Sequence, residues 1–307
     1  MTKSGLGSSL GPAVVGQRVV VRRILPGEAG PTGGPAFTDV LGTCESWGED
    51  TMTVRTEDGT LVTIATADIV SGKPVPPRPS IRQRVSAREA ESHAEPHWPG
   101  VRRTALGEWQ LRIEPEPKDR PGRGPRKRAN SCLAMGDPGM APAEAAHAVR
   151  DFYDSHDRTP MVQVEAGSEV EDWFAASGWS VVPGGDALFL LGSLARARRL
   201  LGVPVEEAVV TADGPRAQAT LGERAFGNAA LDGDWLGVHD LEVEQSVRRR
   251  GLARAVLSAL LEWGAEQGAT TVWLHVETGN EPAIALYETL GLAEHHGCRY
   301  YALTPGR

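Results

Sequence analysis

The sequence predicts an α/β chain: a mixed sheet carrying helices, built as a tandem repeat with a degenerate first half, behind a small all-β domain. Three observations predict this. Residues 14–72 hold short β-branched runs separated by turn chemistry. Residues 204–307 alternate strand patterns with amphipathic-helix patterns. Residues 81–203 repeat that alternation at an offset of 111 to 113 positions.

Bulk properties fit a folded, water-exposed chain. At ~150 residues per domain, 307 residues correspond to two domains. The chain is 40% hydrophobic and 23% charged, as ordinary globular proteins are. Mean hydropathy is -0.27 and no apolar run approaches the ~18 residues of a membrane span, so no transmembrane helix is expected. Residues 1–17 carry one Lys and no apolar core, which predicts no secretory signal. Cys44, Cys132 and Cys298 lack paired spacing, arguing against a disulfide scaffold and a zinc cluster and for a reducing, cytoplasmic setting. Charge is uneven. Residues 1–128 hold 19 Lys and Arg against 15 Asp and Glu, whereas residues 129–307 hold 13 against 25. The acidic part would attract a cationic substrate or partner, although solubility alone also accounts for such a balance.

Taken in order, residues 1–13 are rich in Gly, Ser and Pro and are expected to be disordered. Val19 to Val21, then residues 37–47, 51–55 and 61–65, read as strands, with a long loop from Leu25 and a closing turn at residues 68–72. This is the pattern of a small barrel of the SH3 or Tudor kind over residues 14–72. Residues 73–80 read as a proline-rich linker. The next segment, 81–203, opens on helix-forming Ala, Glu and Arg, then a strand at 109–113. Residues 115–128 carry six basic residues and four prolines and read as a mobile loop, plainly solvated, though able to meet nucleic acid or an acidic partner. A strand at 130–135 and a helix at 143–154 follow. In 204–307, strands at 238–243, 271–276 and 299–303 enclose helices at 252–267 and 281–290.

Chemistry concentrates at two places. The run from Leu241 to Arg254 ends a strand, turns through Arg248, Arg249 and Arg250, and enters a helix at Gly251. A glycine there lets a ligand approach the backbone, and free N–H groups at a helix start favour an anion. The loop is neither a Walker loop nor a dinucleotide fingerprint, because both glycine patterns are missing. The second place runs from Asn280 through Ala283, Leu286, Tyr287 and Glu288 to Gly291. Arg248, Gly251 and Ala253 match R/Q-x-x-G-x-G/A, and the second run matches N-x-x-A-x-x-L-Y-E-x-x-G. In this order, with a helix and a strand between them, they resemble the GNAT superfamily of acyl-CoA-dependent N-acetyltransferases. The resemblance covers residues 205–303. Residues 81–200 resemble it only as a degenerate repeat, as in tandem members such as mycothiol synthase. The N-terminal barrel is similar to the SH3-like domain of actinobacterial acetyltransferases described as histone-acetyltransferase-like.

The resemblance implies acetyl-CoA as co-substrate and no metal. Backbone N–H groups of Arg248, Arg249, Arg250, Gly251, Leu252, Ala253 and Arg254 would hold the diphosphate. Leu241 and Val243 would pair with the pantetheine arm, and the Val243 N–H would polarise the thioester. Asn280 would bond the arm, and Tyr287 would protonate the leaving thiolate. An amine attacking the thioester needs a base. The first candidate is His275, at the position where ribosomal-protein N-terminal acetyltransferases carry a glutamate, with Glu277 and His239 as alternates. An imidazole of pKa ~6.5 can accept a proton near neutrality. His295, His296 and His97 show no metal-ligand company in sequence. The acceptor is expected to be a primary amine of a protein or small molecule, with neither membrane nor nucleic acid as partner. The rival reading is a non-catalytic module that senses acyl-CoA and binds a protein or nucleic acid through the barrel.

Overall fold

The structure, a computed structural model, describes residues 10–30, 33–56, 58–75, 81–115 and 126–303. The disordered start expected at 1–13 falls outside these residues up to residue 9. The expected linker does so from 76 to 80, and the basic loop from 116 to 125. The chain divides into two compact units, residues 1–79 and 80–307.

The first unit is all-β. Strands β1 (Arg18–Ala29), β2 (Pro35–Trp47), β3 (Thr51–Thr56), β4 (Leu61–Ala65) and β5 (Ile69–Pro74) form an antiparallel sheet in the order β4-β3-β2-β1-β5. Alternation puts Val19, Val21, Val40, Cys44, Met52, Val54 and Ile64 into one core. Two expectations need correction. The loop expected from Leu25 is strand as far as Ala29, where the β1–β2 hairpin still pairs Ala29 with Pro35. The closing turn at 68–72 is mostly strand β5, since β-branched Ile69 and Val70 extend along β1.

The second unit carries, in chain order, α1 (Ala87–Ser92), β6 (Arg102–Leu106), β7 (Trp109–Ile113), β8 (Cys132–Leu133), α2 (Pro142–Asp154), β9 (Met161–Glu165), α3 (Glu169–Ala176), β10 (Ser180–Val181), β11 (Ala187–Ser193) and α4 (Leu194–Leu201). It continues with β12 (Val209–Asp213), β13 (Arg216–Thr220), β14 (Ala225–Asp232), β15 (Trp235–Val243), α5 (Leu252–Glu266), β16 (Thr271–Glu277), α6 (Glu281–Thr289) and β17 (Ala293–Ala302). None of the described helices is long and apolar enough to cross a membrane.

One mixed sheet runs β12-β13-β14-β15-β16-β11-β17-β9-β8-β7-β6, with β10 beside β17. Among the described strands only β15–β16 and β8–β9 pair in parallel, each across a helix, α5 or α2. The repeat is therefore visible in the fold: β8-α2-β9-α3-β11 matches β15-α5-β16-α6-β17. The final strands are exchanged. β11 of the first half lies against β16 of the second, and β17 of the second lies against β9 of the first.

The core follows from helical and strand periods. Leu252, Ala255, Val256, Leu260 and Leu261 line one stripe of α5 and meet Val272, Leu274 and Val276 of β16. Replacing the fully buried Leu260 by Ala would cost about 2–5 kcal/mol. The alternate residues of β16, Trp273 and His275, face the other side of the sheet, toward α1.

Candidate active site

The parallel pairing of β15 with β16 lasts four rungs, from Trp235 opposite Thr271 to Val238 opposite Leu274. Both strands continue, but no rung joins them further among the described residues. A bulge explains the parting. Asp240 is left-handed, at φ 49°, and the register against β14 slips between the Asn228–His239 and Phe226–Glu242 pairs. An aspartate tolerates that conformation better than most residues. The strand bends away, and Leu241 and Val243 lie on an edge that faces no other strand on the β16 side.

The chain then makes a short 3-10 turn at Gln245–Val247 and reaches the start of α5. Arg249 has φ 64° and Gly251 φ 82°, and Gly251 is the N-cap residue without a side-chain cap. Arg248 Nε donates to the Val243 carbonyl at 3.1 Å. Among the described residues, the backbone N–H groups of 249–254 have no acceptor. These six donors lie at the positive end of a 15-residue helix, an arrangement whose electrostatics favour an anion. Arg249 and Arg250 are exposed beside them. Two side chains of this run turn away from the loop. Arg254 donates to the carbonyls of Leu200 and Leu201 and so caps α4, and Leu252 is buried in the core.

Asn280 is the N-cap of α6, where its side chain accepts from the Ala283 N–H at 3.3 Å. Tyr287 is 7% exposed, and its hydroxyl makes no hydrogen bond among the described residues. Burial pushes the phenol up to about 12, so it keeps its proton. Glu277 is exposed at the end of β16.

His275 stands elsewhere than the sequence led one to expect. Its side chain is buried and its Nε2 lies 2.6 Å from Oε1 of Glu91, a fully buried carboxylate on α1. Desolvation, followed by the charge of Arg128, lowers the imidazole to about 4. A neutral ring then donates Nε2–H to the carboxylate. His296 Nε2 approaches the same oxygen at 3.4 Å, and the Cys298 thiol donates to it at 3.1 Å. Against the cost of burial, His275 and His296 hold Glu91 well below the usual carboxylate range. His296, expected to lack metal-ligand company, thus has Glu91 and Cys298, with ligand atoms within 4.8 Å of one another. The Arg128 guanidinium, whose charge acts on Glu91, Cys298 and His275, supplies positive charge to this cluster. The sequence held one signal for it: Glu91 falls on the buried stripe of α1 with Ala87 and Ala90.

On the side of the sheet facing residues 97–100 lies a cleft of about 690 Å³. His239 and Asp240 reach it from β15, and Trp98, Glu114 and Arg126 from the first half. His239 Nδ1 is 3.3 Å from Asp240 Oδ2, which also meets Arg126 at 3.3 Å. These partners hold Asp240 well below the usual carboxylate range.

Comparison with known proteins shows what the chain is similar to. Residues 190–301 match the family model described as the C-terminal part of the probable histone acetyltransferase Rv0428c, and residues 13–73 match that protein's N-terminal Sm-like domain. The probable histone acetyltransferase Rv0428c of Mycobacterium tuberculosis is 28% identical over 304 residues, 93% of this chain and 94% of the relative. By these matches the chain is similar to N-acetyltransferases of the GNAT superfamily. The ribosomal protein bS18-alanine N-acetyltransferase of Escherichia coli is 38% identical to this chain over 91 residues. That match covers 29% of this chain and 53% of the relative, about half its length. A GCN5-related N-acetyltransferase from Kribbella flavida has the same fold at TM-score 0.56. It is 16% identical, and the match covers 73% of this chain and 97% of that one.

Proposed function

We propose that this GNAT enzyme transfers an acetyl group from acetyl-CoA to a primary amine, carried by a protein or a small molecule, by direct attack on the thioester. One observation carries the reading: the open edge of β15 leads directly into the unsatisfied N–H groups at the start of α5. A ligand with amides along its arm and phosphates at its end complements both. In this reading Leu241 and Val243 pair their backbone with the pantetheine, and an N–H of that edge polarises the thioester oxygen. The N–H groups of residues 249–254 take the diphosphate, with the guanidinium groups of Arg248, Arg249 and Arg250 adding charge.

Tyr287 is assigned the proton that the departing thiolate takes, because its phenol stays protonated across the working range. Asn280 orients the start of α6 and turns its remaining amide toward the arm. His275 is not assigned the base, since its Nε2 is engaged by Glu91 in the interior. The N-terminal unit, read as an SH3-like barrel, is assigned to docking a protein acceptor, with Phe37 and Leu61 as exposed apolar residues. Three buried free thiols favour a reducing, cytoplasmic setting.

The test is a calorimetric titration of the full chain with acetyl-CoA, repeated on Gly251→Glu. Micromolar binding that disappears in the variant supports the cradle. Absence of binding by the wild type overturns the reading. Steady release of thiol in the presence of an amine separates the enzyme from a sensor.

A further inference from the structure

We propose that the cleft beside the bulge receives the acceptor amine, and that His239, oriented by Asp240, is the base that deprotonates it. The proposal rests on the acetyl-CoA reading above. His239 is the first residue of β15 beyond the last rung shared with β16, so it stands where the wedge opens. It also lines the cleft of about 690 Å³, together with Asp240, Trp98, Glu114, Asp213 and Asn228. One side chain therefore borders both the opening between the strands and a space large enough for a polar amine.

The geometry suits a base. His239 Nδ1 faces Asp240 Oδ2 at 3.3 Å, which fixes the tautomer with hydrogen on Nδ1 and leaves Nε2 to accept. Asp240 is itself held by Arg126 at 3.3 Å. The His239 ring stacks on His97, with centroids 4.4 Å apart, and meets Trp98 edge-on at 6.1 Å. His97 is buried, and desolvation pushes it well below its ordinary value, so it packs as a neutral plate. The charged groups around His239 are Asp240 on its own strand, Arg126 and Glu114 from the first half, and Asp213 and Arg216 across the cleft. On β14 the residue opposite His239 is the neutral Asn228. The carboxylates draw an ammonium inward, and His239 removes the proton that blocks its lone pair.

The step balances. His239 passes the ammonium's proton on to water, the free amine nitrogen then forms the new N–C bond, and its second N–H proton passes to the regenerated His239 Nε2. The C–S bond breaks, and the CoA sulfur takes the electron pair and then the Tyr287 proton. Tyr287 and His239 return to their starting states by exchange with water. No oxidant or metal enters. His239 is a catalytic residue here and Asp240 a positioning residue.

The test measures thiol release from acetyl-CoA by the full chain, with spermidine and with an Nα-acetyl-lysine amide as acceptors. The expected result is a fall in kcat/KM of about 10² to 10³ for His239→Gln, with acetyl-CoA affinity unchanged. Asp240→Asn should lose about tenfold in kcat with KM for the amine unchanged, since the carboxylate that orients the ring is gone. A His239→Gln variant within threefold of wild type overturns the base. A wild type that binds acetyl-CoA but turns over neither amine overturns the cleft as a primary-amine site. A wild type that does not bind acetyl-CoA overturns the underlying reading instead.

Discussion

The two halves of the second unit start their matching helices differently, and the difference shows what separates a ligand site from a structural copy. At α5 the N–H groups of residues 249–254 have no acceptor among the described residues. At α2 two N–H groups of the corresponding loop are met by the chain's own carboxylates. Glu108 accepts from the Asp137 N–H at 2.7 Å, and Asp137 accepts from the Gly139 N–H at 2.8 Å. Gly136, at φ 86°, admits the Glu108 carboxylate, which a Cβ would meet at 2.4 Å. Pro142 opens α2 and removes a donor outright. One half leaves the donors at its helix start open, and the other meets part of its loop with internal acid.

The sharpest way to break this contrast is to put an acid where the first half has one. Gly251→Glu strains a left-handed position and sets a carboxylate among the donors, at a cost of several kcal/mol. Calorimetry should show acetyl-CoA affinity falling about a thousandfold. Glu108→Gln, the reciprocal change, should leave that affinity alone.

Next in size is an acid-stability effect. His275 in β16 corresponds in the repeat to Gln163 in β9, which does not titrate. The folded protein keeps His275 neutral down to about 4, whereas the unfolded chain protonates it near its ordinary 6.5. Its contribution is complete above pH 6.5 and is lost as pH falls toward 4, by about 3 kcal/mol in all. Urea unfolding at pH 7 and pH 4 should show that His275→Gln narrows the difference between the two midpoints. An unchanged difference would remove His275 from the acid response.

A smaller effect concerns the phenol. Phe174 stands in the first half where Tyr287 stands in the second. Tyr287→Phe makes the halves alike and should lower kcat about a hundredfold with acetyl-CoA affinity retained. A kcat within a factor of three of wild type would cancel the acid role. Smallest is the helix cap. Ser168 caps α3 as Asn280 caps α6. Ser168→Ala and Asn280→Ala should each cost about 1 kcal/mol by thermal unfolding. Only Asn280→Ala should also raise KM for acetyl-CoA. Equal stability losses with no change in KM would make Asn280 a cap alone.

Much of this was legible in the chain itself. The repeat, helices α5 and α6, and strands β15 to β17 follow from strong hydrophobic periods. Gly251, the arginines and Tyr287 follow from motifs that lie within one stretch of about 50 residues. Strands β12 to β14 were missed because Ala217, Ala219, Ala225 and Ala229 fill their buried positions, and alanine carries little strand signal. The Glu91 cluster was missed for another reason. It joins α1 to β16 and β17 across more than 180 positions, so no local pattern connects its members. The importance of His239 likewise depends on a bulge at Asp240 and on Trp98, which is far away in sequence.

The exchange of β11 and β17 has a consequence for biosynthesis. Strand β9 emerges from the ribosome well before its partner β17 (Ala293–Ala302). Until β17 emerges, β9 and β11 each present an unpaired edge, a prolonged opportunity for mispairing. Nascent chains stalled before residue 293 should therefore engage holding chaperones, and release should coincide with emergence of the final strand. The two halves complete their sheet together, once β17 has joined β9 and β11.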